Sequence, residues 1–126
     1  MIWKFPKYEV DVPIDWESIE AEFDWFRDMK GVQQDAIWHA EGDVFVHTKM
    51  VVEALLGLPE FNGLNEQDKH ILFVAALLHD VEKRSTTTTE LIDGEERIVS
   101  PRHAKKGEIT TRKILYTDIV APFVVR

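Results

Sequence analysis

The 126-residue sequence has no cysteine. That absence excludes disulfides, zinc-thiolate centres and cysteine nucleophiles together, and it fits a reducing cytoplasm. No apolar run approaches the roughly 20 residues that a membrane-spanning helix needs, so no membrane partner is expected. The first residues lack the apolar core of a secretory signal, so nothing points to export. Bases are scarce: 15 Lys and Arg face 23 Asp and Glu, a net charge of −8. A chain so acidic does not coat nucleic acid, which requires a basic surface. There is no internal repeat or linker, and the only low-complexity tract is the run of four threonines, 86–89.

What is present describes one globular domain with a core of its own. Residues 1–13 read as an irregular arm ending at Pro13. Asp15 is placed to cap a helix over Trp16–Lys30, with Trp16, Ile19, Phe23 and Phe26 on one face and Gly31 as the stop. The segment from Gly31 to Asp43 has turn chemistry. Asp43 caps a second helix, VFVHTKMVVEALLGLP, which Gly57 and Pro59 end. Asn65 caps a third over Glu66–Lys83, mostly apolar toward its end and therefore central. Threonines followed by Asp93-Gly94 predict a short β-hairpin from about Thr86 to Val99. A last helix starts near Arg102, with Ile109, Ile114 and Leu115 facing inward. The fold class is mainly α, a helical bundle with one hairpin.

Charge is unevenly distributed. From Met1 to Val46 acids dominate, whereas Arg97, Arg102, Lys105, Lys106, Arg112 and Lys113 meet only Glu108 between 97 and 113. Such a run is either a solvated face or a local landing place for phosphate.

The chemistry concentrates in FVAALLHDVEK, where an apolar helix finishes in His79-Asp80 with Lys83 following. Imidazole and carboxylate both suit a divalent first-row metal. Successive helical positions diverge by about 100°, so both reach one ion only if it sits off the helix end. A third ligand must come from another helix. His47, a polar ring among Phe45, Val46, Met50 and Val51, is the best candidate because such a ring needs a partner. His70, isolated between Lys69 and Ile71, reads as structural.

These elements resemble the HD superfamily of metal-dependent phosphohydrolases, whose pattern is H…HD…D. WHAEGDVFVHTKMVVEAL (38–55) is similar to the opening of the HD domain in bacterial CCA-adding enzymes. LLHDVEK is similar to their HD-x-G-K element, and HAKKG (103–107) to their later H-x-x-x-G helix start. The same elements occur in end-healing proteins that fuse an HD phosphoesterase to a polynucleotide kinase. The resemblance covers about 38–116. It implies an HD-domain bundle holding one or two ions of manganese, nickel, cobalt or iron on His47, His79, Asp80 and His103.

The implied reaction is hydrolysis of a 2′,3′-cyclic phosphate or a 2′- or 3′-phosphate at an RNA or DNA end. Metal-activated water attacks phosphorus, and Lys83 neutralises the charge that develops. Lys83 read more plainly is a cation at a helix C-terminus, worth about 0.3–1 kcal/mol. Asp80 is placed to bridge two ions, and His103 to bind a second ion or protonate the leaving oxygen. His39, Arg102, Lys105 and Lys106 are the substrate-binding candidates, with Glu41 beside His39.

Two departures stand against the pattern. Glu82 replaces the glycine of HD-x-G-K, and the family's last aspartate ligand has no counterpart; Asp118 is the only aspartate in the C-terminal stretch and lacks its surroundings. The chain is therefore expected to be either the N-terminal portion of a longer protein, in which a kinase-type domain could follow, or an unusually short family member. Two other readings stay open: a hydrolase of small nucleotides, and a non-catalytic module of the same fold.

Overall fold

The computed structural model describes residues 3–33, 42–83, 88–92, 94–99 and 103–117. Its elements are α1 (Trp16–Glu22), α2 (Asp24–Arg27), α3 (Val44–Leu56), α4 (Pro59–Asn62), α5 (Glu66–Leu78), β1 (Thr88–Ile92), β2 (Glu95–Val99) and α6 (His103–Thr117). The architecture is mainly helical. No helix among the described residues is long and apolar enough to cross a membrane.

The three expected caps are formed. Asp15, Asp43 and Asn65 each accept a hydrogen bond from the backbone N–H three residues on, at 3.1, 2.8 and 2.8 Å. Each satisfies an N–H that the first helical turn leaves without a partner. Asp43 does more than cap: its other carboxylate oxygen accepts from Gly31 N–H at 2.8 Å. Gly31 sits at φ +77°, in the left-handed region that favours glycine. Together with the Val44 N–H to Val32 carbonyl bond of 2.8 Å, this contact fixes where α3 begins.

One expected helix is two. Over Trp16–Lys30 the chain breaks at Phe23, whose backbone is extended (φ −112°, ψ 112°). The extended residue carries its ring inward, stacked on Phe5 at 5.8 Å and on Trp25 at 4.8 Å. Arg27 donates to the carbonyls of Glu20 and Ala21 that the break leaves exposed, at 2.7 and 2.9 Å. Core packing and a side-chain cap together replace the continuous backbone ladder.

The core joins Phe5 and Tyr8 of the arm with Ile19, Trp25, Phe26 and Met29, and with Val44, Val52, Phe73, Leu77 and Leu78 of the long helices. The arm is thus irregular, as expected, but docked. The hairpin forms with Ile92 paired to Glu95 across a two-residue turn, Gly94 at φ +81°. In α6, Ile114 and Leu115 are buried, but Ile109 is 66% exposed, contrary to the sequence expectation. Gly107 lies on the inward face too, buried with the position of its absent Cβ 4.0 Å from Val81. Ile109 lies two residues, or roughly 200°, round the helix from it.

Candidate metal centre

The third helix ends earlier than its sequence pattern predicts. Rather than running to Lys83, α5 stops at Leu78 with His79 as its C-cap. Two turn bonds follow, Val81 N–H to Leu78 carbonyl at 3.1 Å and Lys83 N–H to Asp80 carbonyl at 3.0 Å. His79 keeps an α-helical backbone (φ −59°, ψ −29°), and its side chain and that of Asp80 swing together across the helix end. His79 and Asp80 therefore point to one place, off the helix end.

His47 reaches that place from α3. Its Nε2 lies 3.7 Å from Asp80 Oδ2, and His79 Nε2 lies 3.0 Å from the same oxygen. The two imidazole rings are tilted, with centroids 5.8 Å apart. One donor atom from each of His47, His79 and Asp80 falls within 4.8 Å of the others. Ligand bonds of about 2.0–2.2 Å place neighbouring ligand atoms roughly 3 Å apart, so small side-chain rotations bring the three onto one ion.

The tautomer of His79 gives the cluster its character. Its Nδ1 stands 2.6 Å from the carbonyl oxygen of Ala76, which can only accept, so Nδ1 carries a proton. In the neutral ring Nε2 then holds a lone pair, aimed at a carboxylate oxygen 3.0 Å away. Two acceptors at that distance repel unless a proton or a metal ion stands between them. A carbonyl that fixes the tautomer of a ligating histidine is the usual outer-shell arrangement at metal centres. Sequence reasoning missed Ala76, because a backbone carbonyl three residues upstream leaves no mark in residue identity.

Burial, the largest influence on the His79 ring, disfavours its charge. The hydrogen bond to Asp80, the bond to the Ala76 carbonyl and the Asp80 charge together outweigh it despite the opposing Lys83. The ring is held above the ordinary histidine value. Asp80 is buried, its side chain 6% exposed, and Lys83 Nζ lies 3.5 Å from its Oδ2. Lys83, only 12% exposed, is thus committed to the cluster and is more than a solvated cation at a helix end.

The departure at Glu82 has a structural answer. Its carboxylate is buried and lies 3.7 Å from Lys106 Nζ on α6. With Gly107 against Val81, this pair fastens the start of α6 to the His79–Lys83 turn. Lys105 is exposed, whereas Lys106 is engaged with Glu82 at one edge of the site. Arg112 forms an exposed pair with Glu108 at 3.0 Å. The backbone of His103 opens α6. Its side chain, together with His39, Glu41, Arg102 and Asp118, lies outside the described residues. No family model, curated protein or solved structure matches the chain.

Proposed function

We propose that His47, His79 and Asp80 hold a divalent transition-metal ion and that the chain is a metal-dependent phosphohydrolase of the HD type. The observation that carries this reading is the lone pair of His79 Nε2 facing Asp80 Oδ2 at 3.0 Å, with His47 Nε2 completing the set. Two imidazoles and one carboxylate favour manganese, iron, cobalt or nickel over calcium, which prefers oxygen ligands alone. When bound, such an ion supplies hydroxide near neutral pH and polarises a phosphoryl oxygen.

The remaining work falls to the chain's own side chains. Asp80 orients His79 and His47 through its shared oxygen. Lys83, held in place by Asp80, meets the charge that builds on the non-bridging oxygens as phosphorus is attacked. His103, at the start of the helix fastened by Glu82 and Lys106, is the candidate for a second ion or for the leaving oxygen. The substrate class is a 2′,3′-cyclic phosphate or a terminal phosphate on a polynucleotide. An end needs only local cations, so the acidic net charge is no obstacle.

Titration of the metal-free protein with manganese or cobalt tests the reading, followed by assay against a cyclic-phosphate RNA end. Wild type should bind at a stoichiometry of one or two ions and hydrolyse the ester. His79→Ala and Asp80→Ala should lose both properties while keeping their helical circular dichroism. Activity near wild type in both variants would place catalysis elsewhere.

A second reading draws on the same pair. A proton between His79 and Asp80, with Lys83 beside them, makes a structural ion cluster in a non-catalytic module. That module would fold without metal and show no saturable binding of transition ions.

A further inference from the structure

The arm before α1 has no regular structure, yet Phe5 is fully buried and Tyr8 nearly so. Its attachments run along one stripe of α5, formed by Glu66, Gln67, His70 and Phe73. The N–H of Trp3 donates to Gln67 Oε1 at 2.8 Å, and Gln67 Nε2 donates back to the Trp3 carbonyl at 3.1 Å. Lys4 pairs with Glu66 at 3.0 Å. Phe5 packs 5.8 Å from both Phe23 and Phe73, and Tyr8 stacks on Phe73 at 4.5 Å. At the centre, the N–H of Phe5 donates to Nδ1 of His70 at 3.0 Å.

That last bond differs from the others in one respect: a single proton reverses it. Accepting from Phe5 requires a lone pair on Nδ1, so the neutral ring carries its hydrogen on Nε2. Protonation places a second N–H directly against the N–H of Phe5. The ring is 1% exposed, with Tyr8 edge-on at 4.8 Å and Trp3 at 6.4 Å, so no water can take over the lost bond without the arm moving. The charged groups facing it are few. Glu66 Oε1 lies 4.0 Å from Nε2 and favours the cation, but Glu66 is partly exposed and already paired with Lys4, which opposes it. Lys69 acts on Glu66 from the same helix, and Asp11 acts on Tyr8 from the end of the arm.

We propose that His70 is a proton-operated latch, which fastens the N-terminal arm to α5 when neutral and releases it when protonated. The latch stands apart from the candidate metal site, where His47 of α3 meets His79 and Asp80 past the C-terminal end of α5, and holds whether or not that site binds an ion. Burial is the largest influence on the ring and lowers its pKa; Glu66 raises it and Lys4 lowers it, leaving the value below the ordinary 6.5. With the folded value depressed, the unfolded chain binds protons first as pH falls. The latch therefore contributes fully above about pH 6.5, weakens below it, and opens as pH falls through the folded value.

The test follows the His70 ring and the backbone amides by nuclear magnetic resonance on the labelled full chain, from about pH 8 to about pH 5. The ring should titrate below the ordinary histidine value. With its intrinsic rate removed, exchange protection of the Phe5 amide should fall about tenfold per pH unit between the ordinary histidine value and that midpoint and level off below it, as one linked proton requires. Amides of α3, such as Val52, should keep their protection over the same range. His70→Asn puts Oδ1, an acceptor that does not titrate, in place of Nδ1, and Phe5 protection should then be flat with pH. Three wild-type results would each overturn the latch: a ring midpoint at or above the ordinary value, Phe5 protection that ignores the ring's titration, or loss of arm and α3 protection together. An unchanged pH dependence in His70→Asn would do the same. Should that variant fail to fold, the wild-type midpoints alone decide.

Discussion

His79 Nε2 and Asp80 Oδ2 stand 3.0 Å apart although they belong to consecutive residues, just past the end of α5 at Leu78. The Ala76 carbonyl holds the other ring nitrogen at 2.6 Å, so the lone pair has nowhere else to point. This contact makes a cation, either a proton or a metal ion, part of the site's chemistry.

Proton and metal compete for that lone pair. His79 is held above the ordinary histidine value by its bonds to Asp80 and Ala76 and by the Asp80 charge, which outweigh the larger single effect of burial. A raised folded value means that, without metal, the protonated pair contributes its stability fully below about pH 6.5 and loses it as pH rises through the folded value. Transition-metal affinity should run the opposite way, strengthening with pH as the ring is freed. Titration calorimetry in two buffers of different ionisation enthalpy should reveal proton release on binding. Affinity that is independent of pH would remove His79 from the ligand set.

Lys83→Ala should leave metal affinity close to wild type, because Lys83 donates nothing to the ion. The same change should lower kcat and kcat/KM together by about 10²–10³-fold, as loss of a contact made only in the transition state does. Steady-state kinetics on a cyclic-phosphate substrate make the comparison. A rise in KM with kcat unchanged would recast Lys83 as a simple binder of the ground state.

Lys105 and Lys106 differ in surroundings, so their removal should differ in effect. Lys105→Ala should weaken polynucleotide binding at low salt and leave a mononucleotide cyclic phosphate unaffected. Lys106→Ala should add a small loss of stability, up to about 1 kcal/mol, because its pair with Glu82 is half exposed. Filter binding over a salt series, with urea denaturation alongside, separates the two. Equal losses for polynucleotide and mononucleotide would remove the case for strand binding at Lys105.

Asp43→Ala should destabilise the fold by about 1–2 kcal/mol, since it removes the cap of α3 and the tie to Gly31. Chemical denaturation should show a lower midpoint with an unchanged slope. Because the Asp43 side chain fixes where α3 starts, one turn before His47, metal affinity should fall as well. An equally stable variant with unaltered affinity would show that the core alone positions His47.

The sequence by itself determined a mainly helical fold, the three caps, the hairpin and the residues able to ligate a metal, because each is a local matter. Aspartate or asparagine before an apolar period marks a helix start, Asp93-Gly94 marks a tight turn, and His79-Asp80 at the end of an apolar helix is written in residue identity. His70 was also legible as structural, but its partner was not. Tertiary structure decided what depends on neighbours distant in the chain. Phe23 left the helical conformation because Phe5 and Trp25 offered its ring a buried stack. Ile109 faces outward because Ile114 and Leu115 take the buried side of α6. Glu82 found Lys106, and His70 found Phe5, across separations that no local pattern encodes. Only the packing of α3 on α5 brought His47 to the His79–Asp80 pair, because a ligand set converges through the positions of whole elements rather than through any one of its residues.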